Sequence, residues 1–284
     1  MRRKRQASTS KCKQKELRIL IMFQKEKFDI IIQAGQSNAE GGGSGPIETE
    51  YKPCERVLYL TAKRKSEVID ELLVVTYEQV PFEISIAAER QEPEGLRNDF
   101  SLSFAKEYVD NGYLAEDRKL LIIRAAVGGA GFLKGHWGLG KQLYNKLVEM
   151  VDYALSLNPE NRIVGFLWHQ GEHDAFEGNP PENFYKALKE MCFDVRARYG
   201  NMPFIAGDFC PEWRNKNIEI CQPIIDKIKQ VVSELGNSGF VESVGLLSNN
   251  QRTGNGDDIH FCRESLYELG RRYFSTYQTL TKGF

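Results

Sequence analysis

Short, nearly continuous apolar runs recur along the chain at 29–34, 120–127, 163–168, 203–206 and 241–247. Runs of this length without polar alternation predict strands buried on both faces. Between them the apolar positions change period. Leu139, Leu143, Leu147, Val151 and Ala154 fall on one helical face. So do Phe184, Leu188, Met191 and Val195, and then Ile218, Ile225, Ile228, Val232 and Leu235. Residues 101–109 predict a further helix capped by Asn98 or Asp99, and Leu266, Leu269 and Tyr273 mark another near the end.

From about residue 98 onward strand and helix alternate, which predicts an α/β fold with a parallel sheet covered on both faces. Residues 54–92 break the alternation. Within them 56–61 and 72–77 read as strands with no helix between, a β-rich excursion at the sheet edge or over the site. No repeat or low-complexity linker interrupts the rest. The expected organisation is a basic, disordered tail over 1–24 and a single domain over 25–284.

Composition narrows the partners. The formal net charge is −1, which gives no overall attraction for nucleic acid or an anionic membrane. Only the first 18 residues differ: Arg2, Arg3, Lys4, Arg5, Lys11, Lys13, Lys15 and Arg18 face a single acid, Glu16. The apolar stretch 19–23 is too short for a signal-peptide core and runs into Lys25, Glu26 and Lys27. No run approaches the ~20 apolar residues of a membrane span. The six cysteines show neither a C-x-x-C pair nor zinc spacing. With no export signal, the expectation is free thiols in a reducing cytoplasm.

Polar groups gather where apolar runs end, which is where open α/β sheets put their chemistry. Gly35-Gln36-Ser37-Asn38 follows the first strand. Ser37 there is either a nucleophile on a tight turn or, with Asn38, a cap for the next helix. The glycines that follow, Gly41-Gly42-Gly43-Ser44-Gly45, lack the lysine of a phosphate loop and read as a loop beside the site. Near the other end, Asp257-Asp258-Ile259-His260 supplies a base and its carboxylate. Asp257 suits the role better than Asp258, because two intervening residues let the chain fold back. Such a base acts only when neutral, so activity should fall on the acid side.

Two further segments complete the set. Trp168-His169-Gln170-Gly171-Glu172-His173-Asp174 is dense in polar groups after an apolar run. Its His169, Glu172 and His173 also match a zinc-hydrolase spacing, but that pattern needs a helix, and Gly171 and the preceding strand oppose one. Ala125-Ala126-Val127-Gly128-Gly129-Ala130-Gly131 ends another strand and brings backbone N–H groups within reach of a ligand. Trp137, Trp213 and His136 either line a sugar site or pack in the core.

Taken in order, Gly35-Gln36-Ser37-Asn38, Val127-Gly128-Gly129, Trp168-His169-Gln170-Gly171-Glu172 and Asp257-Asp258-Ile259-His260-Phe261 resemble the SGNH-hydrolase superfamily. The nearer likeness is to its sialate O-acetylesterase and acetylxylan esterase branch, carbohydrate esterase family 6. The resemblance implies a three-layer α/β/α sandwich with a mostly parallel sheet, and a serine esterase needing no metal or cofactor. It implies Ser37 as nucleophile, His260 as base and Asp257 as its orienting acid. It also implies an oxyanion hole from the Ser37 N–H, a Gly128 or Gly129 N–H and the Gln170 side chain, with Gln36, Asn38 and Glu172 in support. The substrate so implied is an acetylated sugar or oligosaccharide. A carbohydrate-binding relative without catalysis is the alternative, and it would not need Ser37, Asp257 and His260 together.

Overall fold

A computed structural model describes residues 23–48, 50–92 and 95–282. The basic stretch at the start lies outside them. The chain enters through β1 (Lys27–Gly35) and a one-turn helix, α1 (Ser37–Glu40). Next come β2 (Val57–Thr61), a hairpin of β3 (Arg64–Ile69) and β4 (Leu72–Tyr77), then β5 (Glu83–Ile86) and a ribbon of β6 (Arg90–Glu92) and β7 (Gly95–Arg97). Alternation begins with α2 (Phe100–Asp110), β8 (Arg118–Arg124), α3 (Gln142–Ser156) and β9 (Arg162–His169). It continues through α4 (Glu172–Phe176), α5 (Pro181–Tyr199), β10 (Phe204–Gly207), α6 (Pro211–Lys216) and α7 (Ile218–Leu235). β11 (Ser238–Val241), α8 (Asn249–Thr253) and α9 (Arg263–Thr281) complete the chain.

The main sheet has seven strands in the order β11-β10-β9-β1-β8-β2-β5. Every pairing is parallel except that of β5 with β2. Side-chain alternation along the central strands divides the core in two. Ile30, Ile32, Leu121, Ile123, Phe166 and Trp168 pack under the apolar faces of α3, α5 and α7. Ile31, Leu120, Ile122, Leu167 and Ile205 pack under α2 and α9. The expected layers are therefore present, and the apolar runs lack polar alternation because both faces are covered. From β1 the chain leaves toward β2, and from β9 it leaves toward β10, so the carboxyl ends of β1 and β9 flank a topological switch point.

Several boundaries differ from expectation. The strand placed at 241–247 is instead Ser238–Val241. Beyond it Gly245 takes φ +80° and Val244 is 67% exposed, so that apolar run is a surface turn. The strand at 56–61 is not at the edge but pairs with β8, and β5 covers its other side. The strand at 72–77 belongs to the separate β3–β4 hairpin. Leu139 lies before α3 and is exposed. Asp99, rather than Asn98, caps α2 by accepting from the Ser101 N–H. Of the residues assigned to the tail, Phe23 is buried beside Phe28, and the Gln24 carbonyl accepts from Asn158 at 2.8 Å. Among the described residues no helix is long and apolar enough to cross a membrane.

Candidate active site

The turn after β1 is built for close approach. Gly35 has φ +135°, and a Cβ there would stand 2.0 Å from the His169 carbonyl oxygen on β9. Only glycine fits. The Gln36 N–H donates to that same carbonyl at 3.0 Å, and Ser37 then opens α1. Its hydroxyl lies 2.8 Å from Nε2 of His260. On the far side of the ring, Nδ1 is 2.9 and 3.0 Å from the two oxygens of Asp257. Asp257 beside Nδ1 fixes the ring proton there and leaves Nε2 free to accept from the serine hydroxyl. Asp258 is engaged elsewhere, by the Lys216 ammonium at 2.9 Å.

Asp257 has a second holder that the sequence did not reveal. Asn249 donates from Nδ2 to Oδ2 of Asp257 at 2.8 Å, and its own backbone N–H donates to the His260 carbonyl. Burial alone would raise the Asp257 carboxyl. Hydrogen bonds from His260 and Asn249 outweigh it and bring the group below its ordinary value of 3.8. The loop also contacts the glycines of 41–45: the Ser44 N–H donates to Asn249, and the Arg263 N–H donates to the Ser44 carbonyl. That stretch is a tied loop beside His260.

Asn38 joins the helix that Ser37 opens to both other parts of the site. Its amide nitrogen donates to Oε1 of Glu172 at 2.8 Å and to the Ile259 carbonyl at 3.1 Å. Its oxygen accepts the Phe261 N–H at 3.1 Å. His260 is thus gripped by the peptide groups before and after it. Glu172 is fully buried. Burial opposes its charge, but His169 and Asn38 more than compensate and hold its carboxyl below the ordinary 4.5. Gln36 supports the same corner, its Oε1 accepting the His173 N–H at 3.1 Å.

Two expected oxyanion donors already have an acceptor, Gln170 for one of its two amide N–H groups. The Gly128 N–H donates to Oε2 of Glu40 at 2.6 Å, so of the glycine pair it is Gly129 whose N–H lacks an acceptor among the described residues. The Ser37 N–H, first in α1, lacks one for the usual helix-start reason. Gln170 is fully buried, and its amide donates to Asp174 at 2.5 Å. Asp174 also accepts from the Phe132 and Leu133 N–H groups and from Asn179, and so fixes the loop beyond Gly129. Polar density after β9 marked this segment, but not which of its residues forms the hub.

The zinc-type spacing does not form a ligand set. His169 ends β9, its ring 3.0 Å from the Tyr273 hydroxyl and 3.6 Å from Glu172, whereas His173 stands on α4. The two are not on one helical face. Among the described residues no three metal-ligating side chains converge. Trp137 is a core residue whose indole N–H donates to the Gly35 carbonyl at 3.2 Å, and Trp213 packs beside Phe209. His136 bonds the Gly131 N–H and the Leu73 carbonyl, and burial lowers its pKa.

A family profile described as "Carbohydrate esterase, sialic acid-specific acetylesterase" matches residues 27–279. The chain belongs to this family. It is by family a carboxylic ester hydrolase, and the resemblance carried by the strand-end segments is borne out. A relative in Escherichia coli (strain K12), named a probable 9-O-acetyl-N-acetylneuraminic acid deacetylase, is 21% identical over 231 residues, 66% of this chain and 68% of the relative. The acetylesterase fold is shared with the crystal structure of NanS, at TM-score 0.71 and 18% identity over 92% of this chain and 99% of that one. A protein of Arabidopsis thaliana follows at TM-score 0.63 and 17% identity, covering 88% of this chain and 98% of its own. A carbohydrate acetylesterase from Xanthomonas citri superposes at TM-score 0.58 and 16% identity, over 90% of this chain and 57% of its own.

Proposed function

We propose that this esterase removes O-acetyl groups from a sugar of the sialic acid or oligosaccharide class through an acetyl-enzyme on Ser37. The observation that carries the reading is the chain of hydrogen bonds from Ser37 Oγ through His260 to Asp257, at 2.8 and 2.9 Å. His260 takes the hydroxyl proton at Nε2 as Oγ attacks the acetyl carbonyl. Asp257 accepts from Nδ1–H and stabilises the imidazolium that forms. The tetrahedral oxyanion rests on the Ser37 and Gly129 N–H groups. A single such donor is worth about 3–4 kcal/mol in a known case.

Collapse of the intermediate expels the sugar oxygen, which takes the proton back from His260. Water, deprotonated by the same imidazole, then releases acetate. These residues provide the nucleophile and every proton transfer, so the cycle needs no cofactor. Five free cysteines among the described residues agree with action in a reducing cytoplasm.

The test is acetate release from p-nitrophenyl acetate and from an O-acetylated sialic acid by wild type and Ser37→Ala. Loss of both activities in the variant is the expected result. Equal rates in the two proteins would overturn the serine mechanism. A wild type that binds the sugar but releases no acetate would favour a binding role.

A further inference from the structure

One helical turn after Ser37, the side chain of Glu40 meets a group of arginines that the proposed reaction does not use. Arg64, on β3, pairs with the Glu40 carboxylate and donates to the Ala126 carbonyl at 3.2 Å. Arg124, the last residue of β8, donates to the Glu40 carbonyl, lies over the Tyr59 ring at 4.7 Å and stands 3.4 Å from Asp99. Arg90 donates to the Gly41 carbonyl at 3.1 Å. With Thr61 and Ala126, these residues line a cavity of about 60 Å³. It adjoins the nucleophile: Glu40 holds the Gly128 N–H, and a Cβ on Gly128 would lie 3.5 Å from that of Ser37.

Two donors in this lining are unmatched. The Nε atoms of Arg64 and Arg124 are both buried without an acceptor. Buried donors of charged groups are costly to leave unpaired. Asp99 cannot serve both, since Gln33, Ser101 and Tyr59 already donate to its oxygens. Glu40 is the single acid among the lining residues. A guanidinium carries five donors in a fork that fits a carboxylate. A water needs roughly 10–15 Å³ of such space, so the cavity has room for a polar group of a few heavy atoms. The missing partner is small and accepts, and three arginines against one acid in the lining favour an anion.

We propose that this cavity is a carboxylate subsite, in which Arg64 and Arg124 read the acid group of an acidic acetylated sugar while Ser37 meets its ester. The proposal rests on the esterase reading above and assigns its specificity to named residues. Neutral acetylated sugars lack the anchor and bind less well.

The experiment compares acetate release from O-acetylated sialic acid and from its C1 carboxamide, in wild type, Arg64→Gln and Arg124→Gln. Wild type should favour the free acid by about 10- to 100-fold in kcat/KM, mostly through KM, as expected for a charged hydrogen bond. Added salt should erode that preference. In Arg64→Gln, on the β3–β4 hairpin apart from the main sheet, the preference should shrink to a few-fold, with thermal unfolding checking that the fold is kept. Calorimetric binding of the deacetylated acid and its carboxamide reads the subsite without turnover. A failed serine mechanism and a failed subsite are therefore distinguishable. Equal affinity for acid and carboxamide in wild type, or a preference unchanged in both variants, would mean that Glu40 and water alone satisfy the arginines, and would overturn the proposal.

Discussion

Replacing Asn38 by alanine removes a three-way tie at the centre of the site. Two losses can be sized. Oε1 of the fully buried Glu172 loses a donor at 2.8 Å, and a hydrogen bond to a charged group contributes about 1.5–3 kcal/mol. The buried Phe261 N–H loses its acceptor at 3.1 Å, and an unpaired buried amide costs about 1–3 kcal/mol. Together these predict a destabilisation of about 2.5–6 kcal/mol at pH 7, or a fall in Tm of roughly 5–24 °C for a chain of this size. The effect must depend on pH. The folded Glu172 carboxyl lies below its ordinary 4.5, so its contribution is present above that value and is lost as pH falls through the folded one. Without Asn38 less of that depression remains. The gap between wild type and variant should therefore be widest near neutrality and narrow below about pH 4.5. Urea unfolding of both proteins across pH 3.5–7 measures it. A difference under about 1 kcal/mol at pH 7, or one that does not change with pH, would refute the reasoning.

Gly35→Ala should fail to give a stable fold, since its Cβ would meet the His169 carbonyl at 2.0 Å in a backbone region closed to alanine; thermal unfolding of whatever is recovered checks this. Asp257→Asn keeps the shape but no longer favours the proton on Nδ1, so kcat on p-nitrophenyl acetate should fall about 100-fold or more, while the far-ultraviolet circular dichroism stays that of wild type.

The central strands were legible because burial on both faces leaves no polar residue to break the apolar run. The segment at 29–34 shows this, with two exceptions: Asp29, held by Arg118, Arg162 and Tyr108, and Gln33, whose amide donates to Asp99 and to the Ala39 carbonyl. β11 was misplaced for the opposite reason. It is a half-buried edge strand that pairs only with β10, so Ser238 and Gly239 satisfy it and the greasier run beyond carries a false signal. In the site, Ser37, Asp257 and His260 stood out as chemical types at strand ends and beside a helix. Asn249 did not, because its task is set by a loop that folds back across Gly42 and Asp257, and no periodicity records that. Gln170 and either Gly128 or Gly129 were assigned from motif position, which cannot show that Asp174 would accept one Gln170 N–H and Glu40 the Gly128 N–H.

The position of β1 in the sheet has a consequence for how the chain is made. Of the described strands it is made first, yet it lies between β8 and β9 and pairs with no other strand among the described residues. A growing chain therefore carries Phe28, Ile30, Ile31 and Ile32 with both hydrogen-bonding edges open until β8 has emerged, and with one edge still open until residue 169 has. At about 5–20 residues per second that exposure lasts roughly 7–27 seconds. Ser37 and His260 are 223 residues apart, so their hydrogen bond can form only after nearly the whole chain is available. Fragments ending before residue 118 should aggregate through β1, and esterase activity should appear only with the last helix.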